Sequence, residues 1–237
     1  MEVIIALVVA IAIAFAAEPA IKRFPVVWYV IIVVLDVVYL THVLAQVSPA
    51  LDRALYAYFN RGLLAFGFLA VVMFIGVFDN SSKIRRYLTP IRGELSIMGA
   101  LLCLPHIVNY LLVYIKRMLA GFESIVNNIV ISFFIALVVT VILAVLTVTS
   151  FNRIRKAMTP AKWKKLQKWA YPFFGLLYVH IVVALSGSIT SVGSKAFWSL
   201  VFYTVITVAY VVLRLLKVQR DRKAEAARTS GREARAE

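Results

Sequence analysis

Long apolar stretches separated by short polar segments dominate the pattern of this chain. A transmembrane helix needs about 20 consecutive, mostly apolar residues, with a range of roughly 17–25. Of 237 residues, 62% are hydrophobic, and the mean hydropathy is +0.89. The pattern predicts an all-α membrane protein with seven spans, which we letter in chain order as 3–17 (A), 25–47 (B), 62–78 (C), 93–115 (D), 126–149 (E), 169–190 (F) and 196–216 (G).

Basic residues lie mainly in alternate loops. The loops after A, C and E, together with the C-terminal tail, hold 21 of the 26 Lys and Arg residues. Because cytoplasmic loops of membrane proteins are enriched in Lys and Arg, this bias predicts a multi-pass cell-membrane protein with its N-terminus outside and its C-terminus inside. The same rule explains the net charge of +15, so we do not expect a nucleic-acid partner.

Three parts of the chain are predicted: an N-terminal helix with its inner loop (1–24), a helical domain (25–217) and a polar tail (218–237). Helix A could instead be a cleaved signal peptide, but Glu2 stands where a positive segment is expected, which favours a retained helix. The tail is expected to be disordered or loosely helical. The Lys-rich loop 150–168 is expected either to lie on the inner leaflet or to be solvated.

Two histidines stand near the middle of apolar segments, His106 in D and His180 in F. At about 1.5 Å per residue, both lie about 17–20 Å from the cytoplasmic ends of their helices. Histidine within a bilayer is costly and is usually functional. Two imidazoles at one depth on neighbouring helices can bind one haem iron from opposite faces. The other interpretation is an interhelical hydrogen bond.

Small residues near these histidines are candidates for the helix faces that would contact the haem ring. Gly99 and Cys103 precede His106 by seven and three residues, and Gly187 follows His180 by seven, so each shares a helix face with its histidine. Small residues also mediate ordinary helix packing in membranes, and that interpretation stays open.

Segment B carries a carboxylate and a third histidine, Asp36 and His42. An ionisable residue within the membrane is a candidate functional residue. These two could relay protons or bind the cofactor by hydrogen bonds, or they could be a polar pair satisfied inside the bundle. His42 is a poorer candidate for axial ligand because its predicted depth differs.

Other chemistry is largely excluded. Cys103 is the single cysteine, so the chain forms no internal disulfide and no Cys-ligated cluster. The chain has no Gly-rich phosphate loop, and no loop is long enough for a flavin or nucleotide domain. Any chemistry therefore takes place in the membrane or through a partner.

The segments "RGELSIMGALLCLPH" (92–106) and "LTVTSFNRIRKAMTPAKWKKLQKWAYPFFGLLYVH" (146–180) resemble the ferric reductase-like transmembrane domain family. The nearest in layout is the haem-binding membrane subunit of periplasmic methionine sulfoxide reductase systems. The resemblance covers 25–216 and implies a six-helix core, to which helix A is an addition. It implies a b-type haem between D and F, with His106 and His180 as axial ligands.

Two-haem members of that family carry further histidines nearer the cytoplasm. Here Arg92 and Gln167 stand at those positions, so the resemblance implies one haem b. Arg92 and Gln167 could hold a propionate or a quinol headgroup, and Arg92 could equally anchor a lipid headgroup.

From these observations we expect a membrane electron-transfer protein, an oxidoreductase component without its own NAD(P)H or flavin domain. A cytoplasmic flavoprotein or quinol would supply electrons, and an outer-side protein or ferric iron would accept them. The rival interpretation is a haem-free transporter or scaffold, and a third is a haem-bearing sensor. Inverted repeats and duplicated broken helices, which are typical of transporters, are not evident.

Overall fold

The structure is a computed structural model that describes residues 2–120 and 127–233. Within these ranges the regular elements are helices, and no strand occurs. The first half of the chain forms α1 (Glu2–Ala16), α2 (Glu18–Arg23), α3 (Pro25–Leu40), α4 (Val43–Val47), α5 (Pro49–Asn60), α6 (Leu63–Ile75) and α7 (Lys83–Leu88). The second half, after a 3₁₀ turn at Thr89–Ile91, forms α8 (Arg92–Leu101), α9 (Leu104–Leu119), α10 (Asn127–Val148), α11 (Asn152–Ala157), α12 (Pro160–Gln167), α13 (Ala170–Ser186) and α14 (Lys195–Glu233).

Four helical runs in the described ranges are long and apolar enough to cross a membrane. They cover Lys83–Leu119, Asn128–Val148, Pro160–Ser186 and Lys195–Ala227, and correspond to segments D, E, F and G. The pair α5 and α6, bent by 45°, gives a fifth if the two are one span. Helices α1 and α3 are apolar but shorter. The chain is therefore an all-α membrane protein.

Several predicted boundaries are wrong. Segment B is not one helix, because the chain leaves α3 after Leu40 and His42 adopts a left-handed conformation with φ of 52°. Segment D is interrupted between α8 and α9, just before Pro105, whose nitrogen cannot donate the hydrogen bond that would continue α8. Segment F ends at Ser186 rather than 190. The predicted first residue of E, 126, lies outside the described residues.

The C-terminal tail is helical as far as it is described. Helix α14 continues through the predicted boundary at 217 as far as Glu233, the last described residue, so of the two expectations for the tail the structure has the helical one over these residues. Two ion pairs support the extension: Lys217 Nζ lies 3.0 Å from Asp221, and Arg220 lies 2.9 Å from Asp79 in the loop after α6. The loop 150–168 is also helical, since it contains α11 and α12.

Helix α1 packs closely against α6 through small residues. Ala6, Ala10 and Ala14 are almost completely buried, and a Cβ added at Gly67 would lie 2.8 Å from the Ala6 carbonyl oxygen. Small residues allow helix backbones to approach closely in membranes, where dispersion contacts drive association. The segment predicted as an addition is therefore part of the packed bundle.

An aromatic cluster joins α6, α13 and α14. Phe66 and Phe174 stack with their ring centroids 6.2 Å apart, Tyr203 meets Phe66 edge-on at 4.7 Å, and Tyr210 meets Phe174 at 5.1 Å. Such pairs stabilise by roughly 0.5–1.5 kcal/mol beyond the area that they bury. The cluster fixes α13, and with it His180, against the centre of the bundle.

Candidate functional site

The structure brings His106 on α9 and His180 on α13 into contact. Their ring centroids are 6.3 Å apart, and the ring planes are nearly perpendicular, at 82°. Both side chains are partly buried. The two residues are 74 positions apart in the sequence, so the fold, rather than local structure, creates the pair.

A break between helices holds the His106 ring in place. Its Nδ1 lies 2.7 Å from the carbonyl oxygen of Asn60, the last residue of α5. Carbonyls at a helix C-terminus lack a partner within the helix, so the Asn60 carbonyl can accept a hydrogen bond from the His106 Nδ1–H. Gly62 has a φ of 63°, and a Cβ at this position would lie 3.5 Å from the His106 ring. A glycine therefore allows both the turn and the close approach.

Side chains on three helices hold Asn60 itself. The Asn60 amide donates to the Tyr56 hydroxyl at 3.1 Å, and the Asn109 amide donates to Asn60 Oδ1 and to the Tyr39 hydroxyl, both at 3.2 Å. This network links α3, α5 and α9 next to His106. The Tyr110 ring also packs against the His106 imidazole, with centroids 4.8 Å apart.

A second helix holds the His180 ring in the same way. Its Nδ1 lies 3.0 Å from the carbonyl oxygen of Ser132 on α10 and 3.0 Å from the Ser132 hydroxyl. The Ser132 hydroxyl also lies 3.4 Å from the carbonyl oxygen of His180 and can donate to it. Ser132 is buried, so this contact is protected from water.

Each histidine therefore uses Nδ1 to contact the backbone of a neighbouring helix. Neither Nε2 atom has a hydrogen-bond partner among residues 2–120 and 127–233. Histidines that bind metal usually donate their other ring N–H to a carbonyl or carboxylate, which fixes the tautomer and the ring orientation. With Nδ1 protonated, Nε2 is the atom with a lone pair for a metal.

The distance between the rings fits two imidazoles on one metal ion. A metal–imidazole bond is about 2 Å long and a ring nitrogen lies about 1.1 Å from its ring centre, so two ligands on opposite sides of one ion place their ring centroids about 6.2 Å apart. The same distance is ordinary for an edge-to-face contact between two rings. No cluster of three or more His, Cys, Asp or Glu side chains suited to a metal occurs in the described ranges.

The small residues predicted for the haem face have packing roles here. A Cβ at Gly99 would lie 3.1–3.2 Å from Leu69 and Phe68 on α6, and one at Gly187 would lie 2.6 Å from the Asn128 amide. Cys103 packs among partly buried residues at the break between α8 and α9. The structure thus favours helix packing, the alternative interpretation of these three positions.

Asp36 and His42 do not form the polar pair that the sequence indicated. The His42 side chain is 61% exposed, and its Nδ1 lies 3.9 Å from Asp52. Asp36 is 4% exposed, and neither of its carboxylate oxygens has a hydrogen-bond partner in the described part of the chain. The break after α3 turns His42 away, so a relay between the two residues is not supported.

Arg92 and Gln167 precede His106 and His180 on the same two helical runs. Both side chains line one cavity. Arg92 precedes His106 by 14 residues and Gln167 precedes His180 by 13, which corresponds to about 20 Å along each helix. The helices therefore define two layers. We call the first the histidine layer (His106 and His180) and the second the basic layer (Arg92, Gln167 and the cavity around them).

Comparison with known proteins extends this description only slightly. No protein-family model and no solved structure matches the chain. An "Uncharacterized protein" of Treponema pallidum (strain Nichols) is 34% identical over 138 residues, which is 56% of this chain and 37% of that protein. The chain thus spans little more than a third of the length of this relative. Fold and site define the class as an all-α membrane protein with a partly buried histidine pair.

Proposed function

We propose that this chain is a membrane electron-transfer protein that binds one haem b between His106 and His180. The observation that carries the proposal is the histidine layer. Two imidazoles lie at the distance expected for opposed ligands, and each is oriented by a backbone carbonyl of another helix. The resemblance of residues 92–106 and 146–180 to ferric reductase-like membrane domains supports the same ligands.

The chain's own residues would bind and orient the group. His106 and His180 supply Nε2 atoms, Asn60 and Ser132 hold the Nδ1 protons, and Tyr110 covers one side of the His106 ring. A bound haem would supply an iron that takes up and releases one electron at a time. Partial burial of both rings would limit water at the iron and would help to set its potential.

The electron path is proposed as inner donor to outer acceptor, across seven spans with the N-terminus outside. The bias of basic residues toward one side supports this topology. A cytoplasmic flavoprotein or quinol would reduce the haem, and an outer-side protein or ferric iron would oxidise it.

Cysteine labelling tests the topology. After Cys103→Ser, single cysteines are placed in the 150–168 loop and near Lys195. An impermeant thiol reagent on whole cells should label only the second.

Haem titration into the purified chain tests the proposal. We expect saturation near one haem per protein, and a ratio near two would contradict the single site. His106→Ala and His180→Ala should each abolish haem retention, because either substitution removes one of the two proposed axial ligands. The matched control is His42→Ala, which removes an exposed histidine and should retain the haem.

The rival proposal is a haem-free transporter or scaffold in which the two histidines tie helices together. The observation that favours it is the pair of interhelical hydrogen bonds from Nδ1. It predicts that His106→Ala and His180→Ala lower thermal stability while folded wild-type protein takes up no haem. The same titration, read beside a melting curve, separates the two proposals.

A further inference from the structure

The basic layer contains a cavity of about 320 Å³ between α6, α8, α10, α12 and α13. This volume lies at the lower end of the range for ligand pockets, roughly 300–1,000 Å³. Arg155, Lys164, Lys168 and Tyr171 in its lining are exposed, so the cavity opens to the surface. Arg92 and Gln167 are partly buried further inside.

Every charged side chain in the cavity lining is basic: Arg92, Arg155, Lys164 and Lys168. None of these four forms an ion pair with a described residue. Carboxylates nearby are engaged elsewhere. Glu94 accepts hydrogen bonds from Tyr29 and Asn152, at 3.1 and 3.2 Å, and Asp79 pairs with Arg220. The cavity thus concentrates positive charge without a counterion from the protein.

The helix that carries one of these basic residues is held in place. Trp163 on α12 donates to the Thr149 carbonyl at 3.0 Å, and Gln167 donates to the Thr149 hydroxyl at 3.2 Å. These two contacts fix α12, which carries Lys164. Lys168 follows directly after this helix. The helix cap supports the same arrangement, because the Thr159 hydroxyl accepts from the Lys162 N–H at 3.4 Å.

The opposite wall of the cavity is apolar. Leu69 and Met73 on α6, Leu143 on α10 and Phe173 on α13 line it, and these side chains are buried. A ligand that fits both walls carries an anion on an apolar body. A quinol headgroup is neutral and would leave the four cations uncompensated.

We infer that this cavity binds the phosphate of an anionic phospholipid, with Arg92, Arg155, Lys164 and Lys168 around the phosphate and the glycerol and first acyl carbons against α6 and α13. Basic pockets between transmembrane helices recognise lipid headgroups in this way, and the surrounding leaflet supplies the ligand at high concentration. Arginine suits the buried position because its planar guanidinium binds phosphate in a bidentate manner. The inference does not depend on haem binding.

Short-chain lipids test the inference on the purified full chain in neutral detergent. Dioctanoyl phosphatidylglycerol and dioctanoyl phosphatidylcholine are titrated separately, and bound lipid is counted by native mass spectrometry. Two variants remove cations from the cavity. The first is Arg92→Gln, at the partly buried position, and the second is the double variant Arg155→Gln with Lys164→Gln, at two exposed positions. The matched control is Arg153→Gln, which removes an exposed arginine of α11 that does not line the cavity.

The expected result is one phosphatidylglycerol bound at least about tenfold more tightly than phosphatidylcholine, because both lipids carry the phosphate but the basic residues of the cavity repel the choline cation of phosphatidylcholine. That preference should disappear in both cavity variants and persist in Arg153→Gln. The inference is overturned if the two lipids bind alike, or if Arg153→Gln weakens binding as much as the exposed double variant. It is also overturned if glycerol 3-phosphate binds as tightly as the lipid, because the ligand would then be a soluble phosphate ester.

Discussion

The histidine layer and the basic layer lie on the same two helical runs but differ in charge and in their surroundings. In the first, two rings meet nearly at right angles, and Nδ1 of each contacts a backbone carbonyl of another helix. In the second, four cations line a cavity that opens to the surface. Under the two proposals above, one pair of helical runs would hold a haem iron at one layer and an anionic lipid about 20 Å away at the other.

Changing the ligand type at the histidine layer should have the largest effect. His106→Met or His180→Met should keep haem bound but raise its midpoint potential on the order of 100 mV, because the axial ligand sets haem potentials over a range of about 0.8 V. Redox titration of the purified variants measures the shift. Bound haem with an unchanged potential in both would show that neither residue is a ligand, whatever its effect on stability.

The turn that holds His106 should be the next most sensitive. Gly62→Ala forces a left-handed backbone with φ of 63° on a residue with a Cβ, which costs about 1–2 kcal/mol, at a turn whose Cβ position contacts the His106 ring. We expect a lower melting temperature and weaker haem binding. The control is Gly175→Ala in α13, where a Cβ would meet nothing within 4 Å and alanine favours the helix. Equal losses in the two variants would argue against a special role for the turn.

A smaller effect is expected at the other anchor. Ser132→Ala removes the hydroxyl near His180 Nδ1, but the Ser132 carbonyl, also 3.0 Å away, remains as acceptor. Haem affinity should fall by no more than about 1 kcal/mol, the usual net contribution of one hydrogen bond. Complete loss of haem in a folded Ser132→Ala protein would mean that the hydroxyl, not the carbonyl, orients the ring.

The smallest effect should follow from a change in the basic layer. Gln167→Leu removes a hydrogen bond to Thr149 about 20 Å along the helix from His180, so the haem ratio should stay near one. The haem absorption spectrum and ratio are compared with the wild type. A ratio clearly below that of the wild type would show that the basic layer takes part in haem binding, and the two layers would then not differ as described.

The sequence predicted the long spans and the histidine pair for the same reason. Segments D to G are apolar over the length that a membrane-spanning helix needs. The rise per residue of a helix then placed His106 and His180 at similar depths. The breaks were not predictable from hydropathy. His42 in its left-handed turn and the interruption before Pro105 both lie inside apolar runs, where local backbone geometry decides.

Residues that orient the histidines also escaped prediction. Asn60 and Ser132 act through their carbonyl oxygens, which every residue has, so side-chain chemistry gives no signal. A signal does exist for the turn at 60–62, since Gly62 directly precedes an apolar helix and glycine often ends a helix in a left-handed conformation. The packing of Gly99 against α6 depends on contacts between distant segments and required the fold.

The proposal that His106 and His180 hold one haem iron is best tested by the dithionite-reduced minus oxidised absorption spectrum of purified protein from haem-supplied cells. We expect sharp reduced bands of six-coordinate b-type haem in the wild type, and their loss in folded His106→Ala and His180→Ala proteins. A flat spectrum from folded wild-type protein, unchanged after haem is added back, would contradict the claim and leave the histidines as ties between helices.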